Sequence, residues 1–278
     1  MEIKRQIPFM DLEQIAASGQ CFRMEEKADG WYVLIAGERY LMLRQEGKSA
    51  GGSRFTFLCS EEEFHGFWKL YFDLERDYGG LRDRIDAKDL YLKQAAEFGW
   101  GIRILKQDLW EMIVTFIISQ QNNIPRIRRC IRLLCERYGE KKKSVQGEIY
   151  HAFPTPAVLA GASLEELSAC NLGYRAKYLN QTAHRIAEGD FLLQALTSMS
   201  YEEAKRELMK LYGVGIKVAE CVCLFALQHV DAFPVDTHIR QILQAHYPQG
   251  FPFLRYQGIA GILQQLMFYY ELHGDKSG

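Results

Sequence analysis

Alternating hydrophobic and polar positions mark the amino-terminal part of the chain as strand-forming. Aromatic and β-branched residues fill positions 31–47 (WYVLIAGERYLMLRQEG) and 54–60 (RFTFLCS), and glycines separate the runs. A two-residue period with glycine punctuation is typical of half-buried antiparallel strands. We therefore predict a β-rich amino-terminal domain, an antiparallel sheet, over residues 1–82.

From about Leu81 onward, the apolar residues repeat with the helical period. Asp108 and Glu111 form an Asp-x-x-Glu capping box. The helix that it opens has an apolar stripe made of Leu109, Met112, Ile113, Phe116 and Ile117. The polar run at 119–123 (SQQNN) ends this helix, and Pro125 suits the first turn of the next one.

Further helix starts follow in the second half of the chain. Ser163-x-x-Glu166 and Ser200-x-x-Glu203 are capping boxes, residues 171–189 read as a turn and a helix, and residues 139–156 have the composition of a loop. The predicted fold class is α+β, in which the sheet domain is followed by an all-helical part over residues 83–278. That part includes a helix–hairpin–helix at about 203–228.

Composition places the chain among globular proteins with a substantial core. Of its 278 residues, 48% are hydrophobic and 25% are charged, which excludes a disordered or collagen-like chain. The apolar stretch 109–119 contains Glu111 and is too short to span a bilayer, and the amino terminus shows no secretory signal. The 7 cysteines include no Cys-x-x-Cys pair, which favours reduced cytosolic thiols over disulfides or a metal site.

The net charge of −1 hides a basic cluster. Within 124–143 there are eight basic residues and two acidic ones: Arg126, Arg128, Arg129, Arg132, Arg137, Lys141, Lys142 and Lys143 against Glu136 and Glu140. Such a cluster can attract phosphates, and the alternative is an ordinary solvated helix face.

Two glycines separate two helical patterns near the carboxyl end. Gly213-Val214-Gly215 predicts a tight hairpin whose backbone angles only glycines tolerate. The next helix would then expose its first amide groups at the turn, a site suited to a phosphate. Hairpin carbonyls can also hold a monovalent cation. A plain turn remains the alternative for such a short motif.

A lysine and an aspartate follow this hairpin. Lys217 begins an otherwise apolar helix, and an amine in apolar surroundings loses hydration, which favours its neutral nucleophilic form. Asp236 ends the run Phe233-Pro234-Val235-Asp236 just before another helix, which it can also cap. An amine that attacks and a carboxylate that stabilises positive charge suit cleavage of a sugar–base bond.

These motifs together resemble the helix–hairpin–helix–GPD superfamily of DNA glycosylases, and within it the 8-oxoguanine DNA glycosylases that are also lyases. The similarity covers most of the chain, in the blocks 101–127, 172–179, 213–227 and 233–239, and in the Ser-Gly-Gln-x-Phe-Arg block at 18–23.

The resemblance implies a role for each matching residue. Lys217 would attack the anomeric carbon of a flipped nucleotide and form a Schiff base that allows β-elimination, while Asp236 would support the charge on the sugar. The carbonyl of Gly19 would accept the N7–H of 8-oxoguanine. Three side chains would surround the base, Phe268 and Cys221 on its two faces and Gln264 on its Watson–Crick edge. His238 would lie near the backbone of the damaged strand. Gln264 and Phe268 lie four residues apart on the last helix, which is also what plain core packing would give.

The family pattern also implies contacts with the opposite strand. Arg126 and Arg175 would recognise the orphaned cytosine, and Tyr174 would wedge into the base stack. Gln121 stands where the family usually has an Asn that fills the space of the flipped base. Gly213 and Gly215 would hold a phosphate of the DNA.

The resemblance therefore predicts a metal-independent monomer without a cofactor, acting on duplex DNA that contains 8-oxoguanine. The absence of a four-cysteine cluster argues against the iron–sulfur glycosylases, and the short loops suggest a bacterial or archaeal cytoplasmic protein associated with the nucleoid. Two alternatives remain open: an alkylpurine DNA glycosylase, and a DNA-binding protein without catalytic activity that uses the hairpin as a phosphate clamp.

Overall fold

An antiparallel five-stranded sheet forms the amino-terminal part of the protein. The computed structural model describes residues 1–49 and 52–274. The sheet has the order β1-β5-β4-β3-β2, and its strands are β1 (Ile3–Ile7), β2 (Met24–Glu26), β3 (Trp31–Ala36), β4 (Arg39–Ser49) and β5 (Gly52–Phe57). The prediction of strands within 31–47 and 54–60 is confirmed.

The buried face of this sheet packs against short helices. Along β3 the burial alternates residue by residue, as the two-residue period predicts. The partners are α1 (Leu12–Ala17), α2 (Glu61–Glu63) and α3 (Lys69–Tyr71), the last two joined by a π-helical turn at Phe64–Trp68. Trp68 is fully buried in this core, which also includes Leu105. Core packing therefore crosses the domain boundary predicted at residues 82/83, and that boundary stays a prediction.

The rest of the chain is mainly helical. The longer helices are α5 (Leu90–Gly99), α6 (Leu109–Ser119), α7 (Ile124–Tyr138), α10 (Arg175–Ala187), α11 (Tyr201–Leu208), α12 (Ile216–Phe225), α13 (Thr237–His246) and α14 (Ala260–His273). The shorter ones are α4 (Tyr78–Arg82), α8 (Pro156–Ala160) and α9 (Leu164–Leu167). Of the described helices, none is both long and apolar enough to cross a membrane.

Two of the three predicted capping boxes form with both of their hydrogen bonds, at Ser163/Glu166 and at Ser200/Glu203. At the start of α6, Asp108 accepts the Glu111 N–H as predicted. The Glu111 carboxylate, however, turns towards Gly37 N and Arg23 instead of closing the box. A buried arginine is a stronger partner for it than the exposed end of a helix.

The loop predicted at residues 139–156 contains a short hairpin, so that prediction was wrong in part. Strands β6 (Lys141–Lys143) and β7 (Ile149–His151) pair in antiparallel fashion. Three consecutive lysines have low strand propensity, which concealed the hairpin in the sequence. Tertiary contacts support it, because Lys142 Nζ lies 2.6 Å from the Glu38 carboxylate and Tyr150 OH donates to Glu38 O.

Candidate active site

Lys217 lies in the first turn of α12, immediately after the glycine hairpin. Its side chain is half-buried, and Nζ donates a hydrogen bond to Ser119 Oγ at 3.2 Å. Nζ also lies 5.1 Å from the centre of the Phe116 ring. Both contacts come from the end of α6, so the packing of α6 against α12 places the amine beside an aromatic face.

Asp236 caps α13, as predicted. Its Oδ1 accepts the Ile239 N–H at 2.9 Å, which leaves the second carboxylate oxygen without a capping role. Lys217 and Asp236 line the same cavity, together with Ser18, Gly19, Phe116, Cys221, Phe225, Pro234, Gln264, Gln265 and Phe268. The cavity measures about 40 Å³, which is room for roughly one water molecule.

A bend of the chain that contains Gly19 also lines the cavity. This glycine has a φ of +75°, and a Cβ atom there would lie 3.0 Å from Phe268 Cε1. Gln20 is fully buried and ties the turn to the segment leading into α6, donating to Arg103 O and accepting from Leu105 N. The Ser-Gly-Gln block thus combines a left-handed glycine with a buried amide anchor.

Gln264 lines the cavity, and only one of the two polar atoms of its side-chain amide has a hydrogen-bond partner. Its Nε2 donates to Pro234 O at 3.0 Å, whereas its buried Oε1 has no hydrogen-bond partner among the described residues. A buried acceptor without a donor is costly, so this atom suits a ligand that brings a donor. The amide orientation follows from this hydrogen-bond pattern.

The other predicted pocket residues lie nearby. Cys221 is buried one helical turn after Lys217, and burial raises the pKa of its thiol to about 11. Phe268 and His238 meet edge to face, with ring centres 6.0 Å apart. The structure therefore brings together all of the residues predicted to surround the base.

The residues predicted to contact the opposite strand form a second group. Tyr174 is 48% exposed, and its hydroxyl lies 3.5 Å from Gln121 Oε1. Gln121 itself has a φ of +46°, and Arg126 is exposed in the first turn of α7. Arg175 differs from the others because it is only 3% exposed. Its guanidinium donates to the carbonyl oxygens of Gln120, Gln121 and Leu172.

Only one of the two hairpin glycines is required by the fold. Gly213 has a φ of +81°, and a Cβ atom there would lie 2.5 Å from the Tyr178 ring. Gly215 has a φ of −91° and open space where a Cβ would stand. The prediction that both glycines are needed for backbone angles was therefore wrong for Gly215, because its extended conformation suits any residue.

Four of the eight basic residues in the cluster at 124–143 have partners within the protein. Arg128 donates to Ala16 O, while Arg132, Arg137 and Lys142 each contact a glutamate, respectively Glu136, Glu166 and Glu38. These pairings support the solvated-face alternative for half of the eight residues.

A buried glutamate next to the site was not predicted from the sequence. Glu220 lies on α12 and accepts hydrogen bonds from Tyr201 OH and from Phe233 N. The signal was present, since Glu220 is the only charged residue between Val218 and Phe225 in an apolar helix. Gln265 was also missed; it donates to Ser18 O and supports the Gly19 turn.

No group of three or more His, Cys, Asp or Glu side chains among the described residues could hold a metal ion. The seven cysteines are buried free thiols.

Two family models match consecutive parts of this chain. Residues 3–113 match the model described as the N-terminal domain of 8-oxoguanine DNA glycosylase. Residues 114–249 match the HhH-GPD superfamily of base excision DNA repair proteins.

Individual proteins show the same similarity. An N-glycosylase/DNA lyase from Saccharomyces cerevisiae is 37% identical over 158 residues, which are 53% of this chain but only 42% of the yeast protein. Among solved structures, the apo form of the Clostridium acetobutylicum 8-oxoguanine glycosylase/lyase is 36% identical in sequence. It superposes with a TM-score of 0.88 over 97% of this chain and 96% of that one. Its complex with double-stranded DNA containing cytosine opposite 8-oxoG gives 35% identity and a TM-score of 0.87, over 97% of each chain.

Proposed function

This chain belongs to the 8-oxoguanine DNA glycosylase family of the HhH-GPD superfamily, and from that premise we propose that it excises 8-oxoguanine from duplex DNA and then cleaves the abasic site. One observation carries the proposal. Lys217 and Asp236 line one cavity, which is also lined by Gln264, whose buried Oε1 has no hydrogen-bond partner among the described residues.

Lys217 would be the nucleophile. Its amine forms a bond to the anomeric carbon as the bond from that carbon to the base breaks, and the base leaves with a proton. The C1′–O4′ bond of the resulting adduct then breaks, so that C1′ and the lysine nitrogen form a protonated Schiff base and O4′ becomes a hydroxyl. Loss of a proton from C2′ then expels the 3′ phosphate by β-elimination. Asp236 would stabilise the positive charge that develops on the sugar, since one of its carboxylate oxygens is not used in capping α13.

The polar groups of the cavity match the pattern of an oxidised guanine. The Watson–Crick edge of guanine carries N–H groups that can donate hydrogen bonds. Gln264 Oε1 has no donor among the described residues, so it could accept one of them. The N7–H of 8-oxoguanine would donate to the Gly19 carbonyl, whereas guanine would place an acceptor against it. Phe268 and Cys221 would enclose the base from its two faces, with His238 beside Phe268.

Contacts outside the cavity would hold the DNA. Because Gly215 has no steric reason to be a glycine, its backbone is open to close approach by a phosphate at the start of α12. Tyr174 and Gln121 would enter the space left by the flipped nucleotide, and Arg126 would contact the opposite base. Arg175 would act there through the turn whose carbonyls it binds.

Under this proposal the protein acts as a monomer in the bacterial or archaeal cytoplasm, on double-stranded DNA, and needs no cofactor. A monovalent cation at the hairpin belongs to the proposal as well. The carbonyls of Tyr212 and Gly213 accept hydrogen bonds from Thr182 and Gln120. Each keeps a second lone pair that could contribute to such a site.

Borohydride trapping tests the proposal directly. The wild-type protein should form a covalent complex with a duplex that contains 8-oxoguanine opposite cytosine. Lys217→Gln should lose trapping and excision by about three orders of magnitude or more, because the nucleophile is removed. Lys93→Gln changes an exposed lysine on α5, and serves as the control that should trap normally.

Three outcomes would contradict the proposal. Trapping of Lys217→Gln at the wild-type level would reject the assignment of the nucleophile. Excision of 3-methyladenine without excision of 8-oxoguanine would favour an alkylpurine glycosylase, and salt-sensitive binding of DNA without any cleavage would favour a non-catalytic DNA-binding protein.

A further inference from the structure

We infer that Glu220 is a positioning residue that fixes the loop carrying Asp236, and so sets the place of Asp236 relative to Lys217. This inference rests on the proposed function. Glu220 does not line the cavity, and it would act on the reaction only through the backbone of residues 233–236.

The first observation is a direct contact between Glu220 and that loop. Glu220 is 6% exposed, and its Oε2 accepts the buried Phe233 N–H at 2.9 Å. Phe233 precedes Asp236 by only three residues, and Pro234 between them has a restricted backbone. A hydrogen bond at Phe233 therefore constrains where Asp236 can lie.

The second observation is that the carboxylate itself is fixed. Tyr201 OH lies 2.6 Å and 2.5 Å from its two oxygens. Lys205 Nζ lies 3.3 Å from Oε1 and 4.5 Å from the centre of the Tyr201 ring. The donors come from α11 and from the loop, so the buried charge is both compensated and held in one orientation.

The third observation is that the loop is held from both sides. Pro234 O, one residue after the bond to Glu220, accepts from Gln264 on α14. Glu220 lies three residues after Lys217 on α12, so one rigid helix carries both the amine and the support of the loop. This arrangement links the position of the carboxylate to the position of the nucleophile.

The test compares two changes at Glu220 with one at another buried glutamate. Glu220→Ala removes the acceptor of the Phe233 N–H, and Glu220→Gln keeps an oxygen there. Glu111→Gln is the matched control, because Glu111 is 5% exposed and accepts the N–H of Gly37 at the other end of α6. The measurements are the single-turnover rate of 8-oxoguanine excision well below the unfolding temperature and the affinity for a duplex with a tetrahydrofuran abasic analogue.

We expect Glu220→Ala to slow excision by about 10- to 100-fold, the loss typical of a displacement on the order of 1 Å. Glu220→Gln should lose less, and the affinity for the abasic duplex should stay close to that of the wild type for both. Glu111→Gln should excise at the wild-type rate. Wild-type excision rates in the folded Glu220 variants would overturn the inference, because a purely stabilising network lowers the unfolding temperature without changing the rate.

Hydrogen exchange gives a readout that does not depend on activity. The amides of Phe233, Val235 and Asp236 should exchange faster in both Glu220 variants, and most in Glu220→Ala, but not in Glu111→Gln. If Glu220→Ala does not fold, Glu220→Gln decides the question by rate and exchange. Unchanged exchange would reject the loop contact, whereas a wild-type protein that excises no base would reject the proposed function instead.

Discussion

Gly19 combines a left-handed backbone with close contact to the ring of Phe268. Any L-residue there has to adopt a conformation that costs about 1–2 kcal/mol. Its Cβ would also press on the side chain that we propose stacks on the base. A single methyl group at this position therefore tests both the fold and the cavity.

We expect Gly19→Ala to lower the free energy of unfolding by about 1–2 kcal/mol and to slow excision of 8-oxoguanine by at least roughly tenfold, because Phe268 has to shift. The control is Gly189→Ala, where φ is +83° and no atom lies within 4 Å of a Cβ. It should show the backbone cost without the loss of rate. Urea unfolding and single-turnover kinetics measure the two effects, and equal loss of rate in both variants would reject the role of Gly19.

At the scale of single residues, the sequence identifies functional residues that stand in a recognisable local motif. Lys217 and Asp236 stand in ordered motifs, and Asp236 also caps the next helix. Gln265 was missed because its partner is far away in the sequence, whereas Glu220 was overlooked although it is a single charge among the apolar residues of α12. Gln265 donates to Ser18 O, 247 positions away, and such a pairing leaves no local pattern.

The hairpin between α11 and α12 shows how two glycines in one element can have different functions. The fold requires a glycine at position 213, because φ is positive there and Tyr178 packs against the backbone. Gly215 occupies an ordinary extended conformation with open space beside it. The hairpin therefore contains one glycine that the fold requires, Gly213, and one beside open space that a ligand can approach, Gly215.

We expect Gly213→Ala to destabilise the protein by about 2 kcal/mol or more, through backbone strain and a clash with Tyr178. Gly215→Ala should cost less than about 1 kcal/mol, the scale of an N-cap change, yet weaken binding of duplex DNA several-fold. Thermal unfolding and fluorescence anisotropy at fixed salt measure the two effects. Unchanged DNA affinity in Gly215→Ala would contradict a phosphate contact at this turn.

Elements with a strong local signal were predicted from the sequence. The strands within 31–47, the capping boxes of α9 and α11, and the break between α6 and α7 all follow from local periodicity and caps. The β6–β7 hairpin was not predicted, because the contacts that accompany it are with Glu38, about a hundred residues earlier.

One buried junction joins the sheet to the helical part of the molecule. Arg23 lies 3.4 Å from the Glu111 carboxylate, and it also donates to Gly37 O and His151 O. The side chains of Arg23 and Glu111 are each 7% exposed. Four segments, including the β3–β4 turn and the end of β7, therefore meet at a single guanidinium.

We expect Arg23→Met to lower the free energy of unfolding by about 3–5 kcal/mol at pH 8, because a buried carboxylate and two carbonyls lose their donor. Urea unfolding followed by far-ultraviolet circular dichroism measures it. The control is Arg132→Met, which breaks an exposed helical pair with Glu136 and should cost less than about 1 kcal/mol. A cost at Arg23 as small as the control would contradict the role of the junction.

The same junction makes stability depend on pH. Burial raises the pKa of Glu111 to about 7, above its ordinary value of 4.5, while Arg23 acts to lower it. The folded protein thus retains a proton that the unfolded chain releases, so the contribution of Glu111 to stability falls as pH rises from about 4.5 to 7.

Comparison of variants across pH checks this dependence. Without Arg23 the pKa of Glu111 should rise further, so the destabilisation by Arg23→Met should be larger at pH 8 than at pH 6. Glu111→Gln should remove the dependence in this window. A cost of Arg23→Met that is constant from pH 6 to pH 8 would show that Glu111 does not titrate there.

The small size of the cavity beside Lys217 determines where the energy for recognition must come from. A purine is several times larger than the single water molecule that fits there, so Phe268 and its neighbours must move before a base can enter. Contacts with the phosphates and with the opposite strand can supply part of the free energy for that movement. A free nucleoside lacks those contacts, so it should be a poor ligand even when its base carries every recognised group.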